Sequence, residues 1–104
     1  MIVEMRIYTI HIGKMAELVD LYRREAWPIQ SRILGNCVGW YTTEFGPLNQ
    51  IVHMWGYESF EDRTRRRAEL FKNQDWLAYL KKAQPLVASQ ESRVLLPTDF
   101  SPVR

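Results

Sequence analysis

A four-residue turn, Gly46-Pro47-Leu48-Asn49, sits between two runs rich in β-branched and aromatic residues, 38–45 and 51–57. Glycine and asparagine tolerate left-handed backbone, and proline presets one dihedral of a tight turn. The pattern predicts an antiparallel hairpin at the centre of the chain. Pairing Phe45 with Gln50 places Trp40, Thr42 and Glu44 on one face with Ile51, His53 and Trp55. Tyr41 and Thr43 then share the other face with Val52 and Met54. A slip of one residue would mix the two sets.

What flanks the hairpin narrows the fold further. Residues 2–10 alternate as a strand, with Val3, Met5 and Ile7 in one row and Glu4, Arg6 and Tyr8 in the other. Past Gly13 the period lengthens. Met15, Leu18, Val19, Tyr22, Ala26, Ile29 and Ile33 recur at helical steps. Pro28 falls inside this pattern and, lacking an N–H, predicts a kink or restart near Trp27. Gly35 and Asn36 form a natural stop. After the hairpin, Ser59 ahead of Phe60, Glu61 and Asp62 resembles a capping box, with Phe60, Thr64, Ala68 and Phe71 expected inward on the helix that follows. Asn73 can cap a further short helix carrying Trp76, Tyr79, Leu80 and Ala83 on one side, ended by Pro85. Residues 89–96 read as the last strand, and 98–104 as an extended tail.

The order β-α-β-β-α-β is the split βαβ arrangement of a ferredoxin-like α+β fold, one domain over residues 1–104. Right-handed crossovers give a four-stranded antiparallel sheet ordered 4-1-3-2 with the helices on one face. The apolar row of Val3, Met5 and Ile7 is expected under the helices. The opposite face would then carry Arg6, Tyr8, Trp40, His53 and Trp55. Such a face is too aromatic to leave in water, so a second copy is expected to cover it in a two-fold dimer.

Composition excludes several functions. The net charge is only +2, and the run Arg63, Arg65, Arg66, Arg67 is interleaved with Glu61, Asp62 and Glu69. That reads as a solvated helix face with internal ion pairs rather than a nucleic-acid stripe. The single cysteine, Cys37, permits no intrachain disulfide and reads as a small buried hydrophobe. No apolar run approaches the roughly 20 residues of a membrane span, and no leader is recognisable at Met1. A cytoplasmic location is expected. His11, His53 and Cys37 have no ligand spacing for a metal, and no phosphate-loop or dinucleotide-binding motif occurs. No cofactor is expected.

The hairpin segment from Val38-Gly39-Trp40 through Thr43-Glu44-Phe45-Gly46-Pro47-Leu48-Asn49-Gln50-Ile51-Val52-His53-Met54-Trp55-Gly56-Tyr57 resembles the central block of the NIPSNAP family. Glu4-Met5-Arg6-Ile7-Tyr8-Thr9, Arg63 with the arginines after it, Asp75-Trp76, Gln90-Glu91 and Leu96-Pro97 are similar to that family as well. The resemblance spans nearly the whole chain and implies a dimeric α/β barrel, in agreement with the fold argued above. It implies no agreed reaction. Small monooxygenases, isomerases and haem-handling proteins use the same barrel. Longer eukaryotic members carry upstream targeting sequence, so a free-standing, bacterial-type domain is expected.

Three residues are candidates for chemistry. His53, with Ile51, Trp55 and Trp40 as strand neighbours, is either an acid or base near neutral pH or an orienting hydrogen-bond partner. Arg6, mid-strand, needs an anion. Glu4, Glu44, Glu91 or a ligand carboxylate could supply it. Tyr8, with Trp40 and Trp55, would form an aromatic pocket wall or interface packing. A small-molecule site, between sheet and helices or inside the barrel, would use Arg6, Tyr8, Trp40, Thr42, His53 and Trp55, with an organic acid as a candidate ligand. A cofactor-independent monooxygenase or isomerase is one form of that reading. The alternative is a non-enzymatic interaction module whose partner surface is the Arg63–Arg67 helix.

Overall fold

The computed structural model describes residues 1–104. Strand β1 (Ile2–Ile10) is followed by α1 (Met15–Leu21), a π-helical turn (Tyr22–Ala26) and α2 (Trp27–Leu34). The hairpin strands β2 (Asn36–Thr42) and β3 (Gln50–Tyr57) come next. Helices α3 (Phe60–Leu70) and α4 (Gln74–Ala83) and a 3₁₀ turn (Gln84–Leu86) then lead into β4 (Val87–Leu95). The sheet is antiparallel and ordered β2-β3-β1-β4, the expected order read from its other edge.

The break in the first helix follows from Pro28. With no N–H at residue 28, the ladder cannot continue to the carbonyl four residues back. Trp27 N–H instead donates to the Tyr22 carbonyl, five residues back, which widens one turn into the π form. Gly35 closes α2 with φ +87, backbone that a residue with a Cβ adopts only under strain. Ser59 accepts from Asp62 N–H at 3.1 Å, and Asp62 reaches back to the Glu58 N–H, also at 3.1 Å, one residue before the cap. Asn73 caps α4 by accepting from Trp76 N–H at 2.9 Å.

The hairpin loop is longer than the turn residues alone implied. Strand β2 ends at Thr42, and Thr43, not Phe45, faces Gln50, donating to its carbonyl at 3.0 Å. The offset is two residues, so parity is preserved. Trp40 stands opposite His53 rather than Trp55, and Thr42 opposite Ile51 rather than His53, yet all four keep the shared face that the pattern gave them. Glu44 falls in the loop. A bulge between Cys37 and Gly39 brings Cys37 opposite Trp55.

The helices cover the other sheet face from the one expected. Glu4, Ile51, His53, Trp55 and Tyr57 are buried, and the helix residues Leu18, Tyr22, Ala26, Leu70, Trp76 and Tyr79 join Ile51, Trp55 and Tyr57 in the core. Tyr22 stacks on Trp40 with ring centres 4.6 Å apart, and Trp27 leans on Trp55. Arg6, Tyr8, Trp40, His53 and Trp55 therefore lie beneath the helices. The opposite face carries Met5, Ile7, Val52 and Met54, only half-buried, with Tyr41 54% exposed. No helix lies over it. The expectation failed because it gave the helices the most apolar row. The aromatic row offers far more area to bury per residue and could not stay wet.

Helix α3 also presents another side than predicted. Phe60, Thr64, Ala68 and Phe71 are exposed, while Asp62 and Leu70 are buried. Arg63, Arg66 and Arg67 are half-buried, so the arginine run is not simply a solvated face. The cause lies in β1, where Glu4 is fully buried and needs cations above it.

Candidate functional site

Cross-strand pairing sets Glu4 opposite Trp55, Arg6 opposite His53 and Tyr8 opposite Ile51. Alternation sends all of these side chains to the helix side. The Glu4 carboxylate accepts from Arg63 Nε at 2.8 Å and Nη2 at 2.9 Å, from Arg6 Nη1 at 2.9 Å, and from the Ser92 hydroxyl. Burial pushes its pKa up. Hydrogen bonds from Arg63 and Ser92, with the charges of Arg6 and Arg63, outweigh burial and hold it at about 2. Arg6 also donates through Nε to the Tyr8 hydroxyl at 3.0 Å. Glu4 is thus the internal partner that Arg6 required, and Arg6 is no longer an unpaired cation.

His53 is 2% exposed, and Trp55 Nε1–H donates to its Nδ1 at 2.7 Å. A neutral imidazole that accepts at Nδ1 carries its proton on Nε2. Burial, reinforced by the Arg6 charge, lowers its pKa to about 3. The ring is neutral at pH 7, its one free lone pair is already engaged, and its Nε2–H is a donor. Of the two roles open to His53, the geometry supports the orienting donor over the neutral-pH acid or base.

Above this row lies a cavity of about 500 Å³ between sheet and helices. That falls within the roughly 300–1,000 Å³ typical of small-molecule sites. Arg6, Tyr8, Trp40 and His53 line it, with Leu18, Tyr22, Trp76, Tyr79 and Leu80 from the helices. Burial raises the Tyr22 and Tyr79 phenols well above their usual range, so both are neutral. The Tyr22 hydroxyl donates to the buried Gln30 side chain, a bond that ties the π turn to α2. Two lining residues, Trp40 and Trp76, hold buried indole N–H donors without a partner, an arrangement uncommon in a finished core.

Not all the predicted site residues meet here. Trp55 is fully buried behind His53 and orients it rather than lining the cavity. Thr42 is exposed and stands outside. Arg67, Tyr22, Trp76 and Tyr79 complete the wall but were not singled out for it. Arg67 had one legible signal, its four-residue spacing from Arg63 on the same helix face. The helical aromatics showed only as core positions.

A model of the NIPSNAP family matches residues 3–102. The chain belongs to the NIPSNAP family. Among relatives of this domain, the protein NipSnap homolog of Dictyostelium discoideum is 37% identical over 95 residues, 90% of this chain and 41% of the relative. The chain thus spans about two-fifths of that protein's length. The crystal structure of a NIPSNAP family protein from Agrobacterium tumefaciens is 51% identical, with TM-score 0.97 over 99% of this chain and 98% of that one. A putative antibiotic biosynthesis monooxygenase from Nitrosomonas europaea superposes with TM-score 0.69 over 93% and 98% of the two chains. At 11% identity that likeness shows the ferredoxin-like fold alone. No helix of the NIPSNAP domain is long and apolar enough to cross a membrane, and no group of three metal-ligating side chains clusters in the structure.

Proposed function

We propose that this NIPSNAP domain binds a small organic molecule in the cavity between its sheet and helices, and that it does so as a homodimer. The observation that carries the first part is the cavity itself, where donors and cations stand among aromatic walls. A pure core of this size would fill the space with side chains and would not leave two indole donors unpaired. Support for the dimer comes from the open sheet face. Met5 stands opposite Met54 and Ile7 opposite Val52, and the hairpin loop beyond carries Phe45, 87% exposed, and Leu48. A second copy fits this face because its apolar row is self-complementary about a two-fold axis. The contact surface is then the Met54 face, opposite to the one the aromatic residues suggested.

The site favours binding over proton transfer by its own residues. Glu4 is held ionised by two guanidiniums, and His53 neither gains nor gives a proton near pH 7. What the chain supplies is positioning: a His53 N–H, the free proton of the Tyr8 hydroxyl, and aromatic surfaces. A cytoplasmic setting is part of the same proposal, as is use of the cavity without a resident cofactor.

The test follows the indole N–H resonances in a ¹H–¹⁵N spectrum during titration with small aromatic molecules, charged and neutral. Saturable shifts of Trp40 and Trp76, with the exposed Trp27 unmoved, are expected. If no compound moves either indole at millimolar concentration, the cavity is not a binding site.

A further inference from the structure

We infer that the cavity selects a ligand with a flat apolar body and a single carboxylate, and that Arg67 is the residue that anchors the carboxylate. This rests on the reading of the cavity as a binding site and adds the ligand's chemical class.

Charge is unbalanced beside the cavity. Three guanidiniums, Arg6, Arg63 and Arg67, gather around one carboxylate, Glu4. Glu4 is spent on two of them, since Arg63 grips it with two nitrogens and Arg6 with one. The remaining acid on this helix face, Asp62, is taken by Arg65 and Arg66. Arg67 has no ion pair and no hydrogen bond to another side chain. Its guanidinium only lies over the Phe71 ring, 5.5 Å from the centroid. It is half-buried and lines the cavity. Burial and the neighbouring Arg6 charge push its pKa down, yet an arginine stays charged at neutral pH. A half-buried cation that faces a cavity without a counter-ion is costly unless an anion completes it.

The rest of the wall sets the shape and charge of that anion. Tyr8, Tyr22, Trp76 and Tyr79 offer ring faces and edges, so the ligand body is apolar and planar. Only one guanidinium is free, and the other donors are neutral: His53 Nε2–H, the Tyr8 hydroxyl and the Trp76 indole N–H. One unit of negative charge is matched by this set. A phosphate dianion would need at least a second unpaired cation, and Arg6 is committed to Glu4. From the sequence alone, Arg6 is a candidate for this role. The structure moves it one guanidinium along, to the residue whose partner is missing.

The experiment compares three probes of one shape, 1-naphthoate, 1-naphthamide and 1-naphthyl phosphate, by tryptophan fluorescence at pH 7, on the wild type and on Arg67→Gln. The naphthoate should bind about tenfold or more tighter than the amide, the discrimination that one charged hydrogen bond confers. Arg67→Gln should abolish that preference by weakening naphthoate far more than amide, and raised salt should weaken naphthoate more than amide binding. Equal affinity for acid and amide would overturn the carboxylate assignment and leave the binding cavity standing. Tighter binding of the phosphate ester would overturn it in favour of a dianion. A preference for naphthoate that survives Arg67→Gln, with the variant's thermal unfolding unchanged, would remove Arg67 as the anchor. Failure of all three probes to bind would defeat the cavity reading and this inference together.

Discussion

The buried, neutral His53 should make the protein lose stability in mild acid, by an amount that follows from its two pKa values. In the unfolded chain a histidine titrates near its ordinary value of 6.5, whereas the folded value is about 3. Between these limits the unfolded state binds one more proton than the folded state, so stability is fully present above pH 6.5 and falls as pH drops towards 3. Each unit of pH across that window is worth about 1.4 kcal/mol. From pH 7 to 4.5 the loss should reach about 2–3 kcal/mol, a sizeable share of a stability of about 5–15 kcal/mol. His53 dominates this interval, because Glu4, with an ordinary value of 4.5 and a folded value of about 2, loses only about 0.4 kcal/mol by pH 4.5. The assay is urea unfolding at fixed protein concentration at the two pH values, followed by tryptophan fluorescence. His53→Gln keeps an acceptor for the Trp55 N–H and removes the titrating ring, so its pH-dependence across the same interval should nearly vanish. A wild type that loses less than about 0.5 kcal/mol between pH 7 and 4.5, or a variant that loses as much as the wild type, would refute the buried neutral imidazole.

Two further perturbations probe the rest of the account. Glu4→Gln leaves Arg6 and Arg63 without their carboxylate and should cost about 3–5 kcal/mol, the scale for breaking a buried ion pair from one side; urea unfolding at pH 7 reads it, and a cost below about 1 kcal/mol would show the cluster to be solvated. Met54→Arg places a charge in the middle of the open sheet face, so sedimentation should show the wild type at twice the chain mass and the variant as a folded monomer, whereas a wild type that sediments as a monomer at micromolar concentration would end the dimer proposal.

Much of the architecture is legible in the residues because local signals agree with one another. The Ser59 and Asn73 caps and the Pro28 break each act within a few residues, and each is where the pattern put it, while the Gly46-Pro47-Leu48-Asn49 turn lies within a loop that begins two residues earlier than the pattern put it. Strand order follows from right-handed crossovers once the elements are placed. The hairpin register differs from the expected one by two residues and keeps its parity, so Trp40 and His53 share a face as expected. What could not be read was the choice between faces. Both rows of β1 and β3 need cover, one because it is aromatic and one because it is aliphatic. A helical layer and a second copy are competing covers. Periodicity says that the rows differ and does not say which cover each row takes.

The same limit explains the site. Arg6, Tyr8, Trp40 and His53 were found because they stand out in strands. Arg67 was hidden in a run of arginines that resembles an ordinary solvated helix. Its importance appears only when Glu4, 63 positions earlier, is seen to satisfy two other arginines first. Trp76 and Tyr79 have helical spacing that fits a core, and they do line a core, one with a hollow in it. In the proposed site the decisive feature is an absent partner, and an absent partner has no signature along the chain.

The central claim is that the helix-covered face of the sheet is the binding face and the Met54 face is the contact between copies. Intermolecular nuclear Overhauser effects from bound 1-naphthoate test it most directly, because they report which side chains touch the ligand. The account predicts contacts from the naphthyl protons to the rings of Tyr8, Trp76 and Tyr79 and none to the methyl of Met54 or the ring of Tyr41. Contacts to Met54 and Tyr41, with Tyr8 and Trp76 silent, would contradict it.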